Sequence, residues 1–438
     1  MSSTSYLQLV DHNHKLSRAY LDGGSFYIKE DSQTMRLEIL KSTLSEFKTT
    51  STEMGNGAVF MIESINYVHI KATSITFETC TSGTDASSTD GNGGVFAVKE
   101  GILDAVDVLF TEVTFQQNRA NVGSGGILYI PTTSTTSVVT LVKTVLYGNE
   151  ANQDGGAIFI GGTGDKVLKL EDCDSIKKQA TTSGSGGVAS MTGSKSTIDV
   201  FYPSKASLPT ASLIDENTAY LNGGLFHAVV SGPAPAGTVR CELFIKSYNY
   251  IETSKATTGS GGIYYCQGDG LANIEISPSM IADSSAGLDG GSFFTDMTET
   301  VTMKISPGTT ISGSKADGSG GFASLQSLAN SAVSMPGCTP AGCSIVTKIE
   351  TAIAKVNGGA FNLVGAVDNT LSIGAKVIFF ACMTQLGHGG LAYMGGVNDV
   401  FSMDKTSELR NCFSGGNGGC FAMTGTALNK LTIIGDLG

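Results

Sequence analysis

The sequence contains no tryptophan, and charged residues make up only 15% of its 438 residues. Average globular domains are about a quarter charged. Lys and Arg number 27 against 39 Asp and Glu, which gives a formal net charge of −12. This shortage of basic residues opposes binding to nucleic acid, whose phosphates need clustered Lys and Arg.

Long hydrophobic runs are also missing, because no run approaches the roughly 20 residues of a membrane-spanning helix. We therefore expect no direct membrane insertion. No segment combines a helical period with capping residues. The chain instead has 57 Gly and 41% hydrophobic residues, and the hydrophobic residues come in short periodic runs. These features predict an all-β protein with a real core.

A Gly-Gly step recurs about every 30 to 38 residues along the chain, a spacing typical of solenoids. A small polar residue or His precedes most of these steps, and a short apolar run follows. The steps begin at Gly23, Gly93, Gly125, Gly155, Gly186, Gly223, Gly261, Gly290, Gly320, Gly358, Gly389 and Gly418, and Asn56-Gly57 fills the one gap.

Three short alternating runs follow each Gly-Gly step, for example Val59–Met61, Val68–Ile70 and Ile75–Phe77. Runs of this kind, separated by Gly, Ser, Thr and Asp, predict β-strands. Three strands per repeat with fixed turns predict a chain that coils and stacks each strand on its counterpart. The sequence therefore predicts a parallel β-helix, a pectin-lyase-like solenoid of about 12 to 13 coils. The polar residues before the Gly pairs are expected to form a ladder from coil to coil.

The repeat shows no break in composition, so we predict a single continuous domain over residues 1–438. Both ends of the sequence fall inside a coil. Open ends of a β-stack are templates for further strands. We therefore expect a part of a longer chain or a unit that stacks end to end.

Two short motifs alternate along the repeat. One is an apolar residue followed three places later by Asn, and the other is a Gly pair followed by small and apolar residues. The clearest copies are Phe115 with Asn118, Leu146 with Asn149, Ile214 with Asn217, and the pairs Gly125-Gly126, Gly155-Gly156 and Gly223-Gly224.

This pairing of motifs resembles the repeats of the polymorphic outer membrane proteins of chlamydiae and related microbial surface proteins. Gly155-Gly156-Ala157-Ile158 matches the second motif of that family fully. The resemblance covers nearly the whole chain. It implies a right-handed parallel β-helix at the cell surface, used in adhesion or as a structural passenger. The C-terminal membrane barrel of those proteins is not found in this sequence.

Nine cysteines form an odd set. Cys338 and Cys343 enclose a short loop rich in Pro and Gly, which favours a local disulfide in an oxidising compartment. Cys382 and Cys412 occupy the same repeat position one coil apart. Stacked strands are about 4.8 Å apart, so these two residues form either a disulfide or a buried stack of thiols.

An enzyme of the polysaccharide lyase or glycoside hydrolase class is the alternative, because parallel β-helices also carry these activities. Glycoside hydrolysis needs two facing carboxylates, and His388 lies in a Gly-His-Gly step similar to that of polygalacturonases. The acidic clusters are interpreted as solvated turns, Asp11–His14 as a polar turn and Gly161–Asp165 as a single fragment of a calcium-binding repeat. The clusters are Glu171, Asp172 and Asp174, and Asp215 with Glu216.

The regular repeat and the missing catalytic motifs favour a non-enzymatic extracellular or cell-surface protein with a structural or adhesive role, and the protomer of a filament. We expect no cofactor, no bound metal and no catalytic residues. The expected partners are further copies joined end to end, other surface proteins, and glycans.

Overall fold

A computed structural model describes the chain in a series of segments. These are residues 4–10, 13–15, 18–19, 26–30, 34–40, 43–45, 48–49, 56–64, 67–83, 91–99, 105–131, 136–202, 213–232, 235, 237–246, 249–337, 345–425 and 429–434. Every structural statement below refers to these residues.

The chain divides into two compact units, and each is described by itself. Unit 1 comprises Met1–Asp199 and Leu213–Gly232, and unit 2 comprises Val200–Ser212 and Pro233–Gly438. In both units the chain passes through four strands per coil. The four strands contribute in turn to four parallel sheets, named A, B, C and D in chain order.

Unit 1 builds each sheet from successive coils. Sheet A contains Thr4–Val10, Thr34–Leu40, Val68–Thr73, Ala105–Thr111, Thr136–Val142, Asp165–Glu171 and Lys195–Phe201, whose last two residues are assigned to unit 2. Sheet B contains Asn13–Lys15, Thr43–Ser45, Thr76–Glu78, Thr114–Gln116, Val145–Tyr147, Ser175–Lys177 and Ile214–Asp215. Sheet C contains Arg18–Ala19, Lys48–Thr49, Thr81–Ser82, Arg119–Ala120, Glu150–Ala151, Ala180–Thr181 and Thr218–Ala219. Sheet D contains Phe26–Glu30, Phe60–Ser64, Phe96–Val98, Leu128–Ile130, Ile158–Ile160, Ala189–Gly193 and Phe226–Val230.

Unit 2 repeats the arrangement. Sheet A contains Val239–Lys246, Leu271–Ile276, Val301–Ile305, Ser331–Met335, Thr370–Ile373, Val400–Asp404 and Lys430–Ile434. Sheet B contains Tyr250–Glu252, Met280–Ala282, Thr310–Ser312, Thr347–Glu350, Val377–Phe380 and Glu408–Arg410. Sheet C contains Lys255–Ala256, Ser285–Ala286, Lys315–Ala316, Ile353–Ala354, Met383–Thr384 and Phe413–Ser414. Sheet D contains Tyr264–Gly268, Phe293–Met297, Ala323–Ser327, Phe361–Val364, Ala392–Met394 and Phe421–Met423.

Neighbouring strands of the described residues pair in parallel, as when Ala105–Thr111 pairs residue by residue with Thr136–Val142. The segments that the structure describes contain no helix. These observations confirm the predicted all-β parallel β-helix. The three strands expected per coil are present as sheets D, A and B, and the structure adds a fourth strand of two residues in sheet C. The sequence showed that strand only as a recurring Ala, such as Ala120 and Ala151.

Alternation along each strand builds the core. In Ala105–Thr111 the side chains of Val106, Val108 and Phe110 are buried, and those between them are partly exposed. Phe110 also packs against Phe115 of sheet B, with ring centroids 5.0 Å apart. The apolar residues therefore line the inside of each coil, as a strand with one buried face requires.

Three kinds of turn in the coil depend on unusual backbone, and one of them lies between sheets A and B. Between sheets B and C a single residue takes a left-handed conformation, for example Gln117 with φ of 53° and Gly148 with φ of 64°. At the Gly pair, Gly125 has φ of 68°, and a Cβ on Gly126 would lie 2.2 Å from the carbonyl oxygen of Gly156. The first Gly thus adopts the left-handed conformation that the turn needs, and the second, which has no Cβ, permits close stacking of coils.

Candidate functional site

The inner corner is the coil position three residues after the buried residue of sheet B. It follows the left-handed turn residue, and its side chain points into the coil. In unit 1 it is occupied by Cys80, Asn118, Asn149, Gln179 and Asn217, all buried. In unit 2 it is occupied by Ser254, Ser284, Ser314, Ala352, Cys382 and Cys412.

Asn side chains at the inner corner form a hydrogen-bonded ladder in unit 1. The Oδ1 atom of Asn149 accepts from the backbone N–H of Asn118 at 3.0 Å and from its Nδ2 at 2.9 Å. The Nδ2 atom of Asn149 donates to the carbonyl oxygen of Phe115 at 3.1 Å and to Gln179 Oε1 at 3.0 Å. All four hydrogen-bonding positions of this buried amide are therefore satisfied.

The ladder extends to both sides of Asn149. Asn118 Oδ1 accepts from the N–H of Cys80 at 3.0 Å, and Asn217 Oδ1 accepts from the N–H of Gln179 at 2.9 Å. Each amide thus satisfies a backbone group of the preceding coil that its own turn leaves open. The Asn of the motif therefore has a structural role, because its hydrogen bonds hold adjacent coils together.

The predicted ladder of polar residues before the Gly pairs is present and is distinct from the inner corner. In unit 1 Asn92 Oδ1 accepts from the N–H of Ser124 at 2.8 Å, and Asp154 Oδ1 accepts from that of Ser185 at 2.7 Å. In unit 2 Asp289 Oδ1 accepts from the N–H of Ser319 at 2.6 Å. The side chain in each case bonds the backbone one coil further on.

Unit 2 fills its inner corner with hydroxyls that bond to one another. Ser284 Oγ lies 2.5 Å from Ser292 Oγ and 3.3 Å from Ser314 Oγ, and Ser292 Oγ lies 2.9 Å from Ser314 Oγ. Ser292 directly follows the Gly pair Gly290-Gly291. The inner corner therefore meets the residue after the Gly pair inside the coil.

The remaining motif residues also have structural roles. Phe115 is fully buried, and Gly155 and Gly223 take φ of 65° and 62°. A Cβ on Gly156 would lie 2.1 Å from the Gly187 carbonyl oxygen, and the Gly224 carbonyl oxygen approaches Gly187 in the same way.

The outward face of sheet D carries a buried polar pair in each unit. In unit 1 Ser190 Oγ lies 2.9 Å from Nδ1 of His227, its register partner in the next coil. In unit 2 Asn362 Nδ2 donates to Ser324 Oγ at 2.9 Å, again between register partners. Burial lowers the pKa of His227 to about 4, and the charge of Asp154 opposes this in part. The histidine is therefore neutral at pH 7 and serves as a hydrogen-bonding group.

The cysteines fall into three groups. Cys241 and Cys266 form a disulfide between sheets A and D of one coil, which the sequence analysis did not identify. The strand register shifts between Val239 and Cys241, next to this disulfide. Cys338 and Cys343 lie outside the described residues. Cys382 and Cys412 are free thiols, as are Cys80, Cys173 and Cys420.

Two of the acidic residues considered as catalytic, Asp215 and Glu216, form ion pairs between coils. Lys177 Nζ lies 3.7 Å from Asp215, and Lys178 Nζ lies 3.6 Å from Glu216. Asp172 is a left-handed turn residue with φ of 47°. The Nδ1 atom of His388 accepts from the backbone N–H of Asn417 at 2.9 Å, so His388 belongs to the ladder before the Gly pairs. The side chains of Asp11–His14 are not among those described.

The last coil of unit 2 comprises the strands from Glu408 to Ile434. Its residues Leu431 and Ile433 are 56% and 60% exposed, although their register partners Phe401 and Met403 are 0% and 5% exposed. Four of its strands are the last described in their sheets. Among the described residues no atom lies within 4 Å of a Cβ placed on Gly419. No described residue covers the inside of this coil on the side of Leu431 and Ile433.

A cleft of about 320 Å³ lies on the same coil. It is lined by His388, Asn417, Gly418, Phe421, Ala422, Met423 and Thr424. The lining contains no carboxylate.

Comparisons with protein-family models, with curated proteins and with solved structures found no match. The described part of the chain contains no helix that is long and apolar enough to cross a membrane.

Proposed function

We propose that this protein is a non-enzymatic structural or adhesive β-helix of the cell surface or extracellular space, and that copies associate end to end. One observation carries the proposal. Adjacent coils of unit 2 pair residue by residue, as Val400–Asp404 does with Lys430–Ile434, so the surface of one coil matches that of another. Leu431 and Ile433 are exposed among the described residues, and exposed apolar groups on a strand favour pairing with another chain.

The occupant is a second copy of this chain, because its coils have the matching geometry. In unit 2 the second Gly of a pair allows the next coil to stack closely. A Cβ on Gly390 would lie 2.2 Å from the Gly419 carbonyl oxygen, which shows how closely a stacked coil approaches this position. Gly419 offers the same access to an incoming strand.

The interior chemistry supports a scaffold role. His388 takes part in a ladder, and Asp215 and Glu216 form ion pairs between coils. The extracellular location agrees with the Cys241–Cys266 disulfide, since disulfides persist in oxidising compartments. The family resemblance, through Phe115, Asn118 and Gly155-Gly156, points to the same adhesive or structural class.

Sedimentation velocity and negative-stain electron microscopy of the purified chain test the proposal. We expect oligomers or fibres whose abundance rises with protein concentration. Gly419→Ala should remove them, because its Cβ would meet the backbone of the incoming coil. Leu431→Asp should remove them by placing a charge in the contact.

Leu288→Asp is the matched control, because Leu288 is 53% exposed but lies on a turn of unit 2. It should associate as the unmodified chain does. A chain that stays monomeric at high concentration would overturn the proposal. Association unaffected by both Gly419→Ala and Leu431→Asp would also overturn it.

A further inference from the structure

Three cysteines of unit 2 have no part in the proposed scaffold role. Cys382 is buried, and Cys412 and Cys420 are partly buried on the last described coil. All three are free thiols. Thiols of this kind are chemically distinct from the Cys241–Cys266 disulfide of the same unit.

Strand register places Cys382 directly beneath Cys412. Phe379 pairs with Leu409 and Met383 pairs with Phe413, so the two cysteines are equivalent residues of adjacent coils. Ser284 and Ser314 occupy the same two positions earlier in unit 2, with the same separation in sequence, and their hydroxyl oxygens are 3.3 Å apart.

Cys420 completes the cluster because it directly follows the Gly418-Gly419 pair. Ser292 follows Gly290-Gly291 in the same way and contacts Ser284, eight residues before it, at 2.5 Å. Cys412 also lies eight residues before Cys420. The Ser284, Ser292 and Ser314 cluster therefore shows that these coil positions bring side chains into contact. Both Cys382 and Cys420 also influence the pKa of Cys412.

The three thiols differ in acidity. The hydrogen bond with Cys382 lowers the pKa of Cys412 to about 7, against the effect of its burial. Burial and the neighbouring Cys412 raise the pKa of Cys420 to about 11, and the pKa of Cys382 is also raised. Cys412 is thus the nucleophilic member at neutral pH, because the thiolate is the reactive form.

We propose that Cys412 is an oxidation site for peroxides and that it closes a disulfide with Cys420. Cys420 is the partner because the hydroxyls at the corresponding positions of one coil are closer than those one coil apart. The Cys241–Cys266 disulfide likewise joins two walls of a single coil. Cys382 and Cys412 are in register on strands about 4.8 Å apart, so their Cβ atoms lie further apart than the roughly 3.8 Å typical of a disulfide.

The reaction balances with one molecule of hydrogen peroxide. The Cys412 thiolate attacks one oxygen, the O–O bond breaks, and a sulfenic acid forms with release of hydroxide. That hydroxide takes the proton of Cys420, whose thiolate attacks the sulfenic sulfur and expels a second hydroxide. The second hydroxide takes the proton that Cys412 lost on ionisation. Two thiols are oxidised to one disulfide, and the peroxide is reduced to two waters.

Peroxide treatment of the reduced full-length chain at pH 7, followed by N-ethylmaleimide blocking and peptide mass spectrometry, tests the inference. We expect a peptide cross-linked through Cys412 and Cys420. In the reduced chain, limiting iodoacetamide should modify Cys412 at least about tenfold faster than Cys173, because burial raises the pKa of Cys173 to about 12.

Variants separate the roles of the thiols. Cys420→Ser should remove the cross-link and leave a Cys412 sulfenic acid that dimedone traps. Cys173→Ser should leave the cross-link unchanged. Modification of Cys412 no faster than that of Cys173 in the unmodified chain would overturn the inference, without depending on how any variant folds. A cross-link between Cys382 and Cys412 in place of the expected one would also overturn it.

Discussion

The inner corner holds amides at four of the five described positions of unit 1, and hydroxyls or thiols at five of the six described positions of unit 2, although the coil is the same. Asn149 makes four side-chain hydrogen bonds, two to backbone groups of the preceding coil and two to the amides of Asn118 and Gln179. The Ser284 hydroxyl bonds to the hydroxyls of Ser292 and Ser314. The larger side chain reaches the backbone of the preceding coil, while the smaller ones reach each other across the interior.

This difference shows that the fold requires a small or polar group at the corner but not a particular one. An amide ladder binds successive coils tightly, because a buried backbone group left open costs about 1 to 3 kcal/mol. Where the corner holds hydroxyls or thiols, the parallel sheets bind successive coils together, and the corner side chains lie close to one another. Equivalent positions of the two units can be compared in the same way at the Gly pairs, at the polar pairs of sheet D and at the left-handed turn before the inner corner.

The largest expected effect comes from adding a methyl group to the second Gly of a pair. Gly126→Ala should destabilise unit 1 by more than about 3 kcal/mol or prevent folding, because its Cβ would overlap backbone that cannot move aside. Gly419→Ala in unit 2 should stay within about 0.5 kcal/mol, because its Cβ meets no described atom. Circular dichroism and thermal denaturation of dilute protein measure both. Similar melting temperatures for the two variants would contradict the stacking argument.

The amide ladder gives the next largest effect. Asn149→Ala should cost about 3 kcal/mol, because it leaves the Asn118 N–H and the Phe115 carbonyl without their side-chain partner. Ser284→Ala should cost about 1 kcal/mol, because Ser292 and Ser314 still bond to each other. Urea unfolding, with hydrogen exchange to localise the change, compares the two.

Gln153→Ala is the control for that pair, because Gln153 is exposed in the same coil of unit 1. It should leave the free energy of unfolding unchanged. Equal costs for Asn149→Ala and Ser284→Ala would show that the two corners are energetically alike.

The polar pairs of sheet D predict a pH dependence that belongs to unit 1. The pKa of His227 falls from 6.5 to about 4 on folding, so below pH 6.5 the unfolded chain binds a proton that the folded chain does not. Stability is therefore lost as the pH falls from about 6.5 towards 4. Between pH 7 and pH 5 this amounts to about 2 kcal/mol.

His227→Asn, which copies the Ser324–Asn362 pair of unit 2, should remove this loss. Asn362→His is the reciprocal variant and should introduce a similar loss into unit 2. Urea unfolding at pH 7 and pH 5 measures all three chains. An unchanged difference between the two pH values in His227→Asn would assign the acid sensitivity to other groups.

The fold follows from the sequence to the extent that it depends on local patterns. Alternation at Val106, Val108 and Phe110 and the recurring Gly pairs predict strands and stacking, since each is read within one repeat. The strands of sheet C were missed because two residues carry no period. The Cys241–Cys266 disulfide was missed because it depends on which walls of a coil face each other. That information lies in turn geometry, which residue types at single positions do not specify.

The smallest expected effect concerns the left-handed residue before the inner corner. One coil of unit 1 has Gly148 there, and one coil of unit 2 has Thr253, a β-branched residue with φ of 45°. Thr253→Gly should stabilise unit 2 by about 0.5 kcal/mol, because relief of the strain exceeds the entropy cost of glycine. Gly148→Thr should destabilise unit 1 by about 1 kcal/mol through conformation alone, since a Cβ there meets only Gln117 Cγ at 3.6 Å. Thermal denaturation of both variants decides the matter. Shifts of the same sign would mean that side-chain contacts, and not backbone strain, govern this turn.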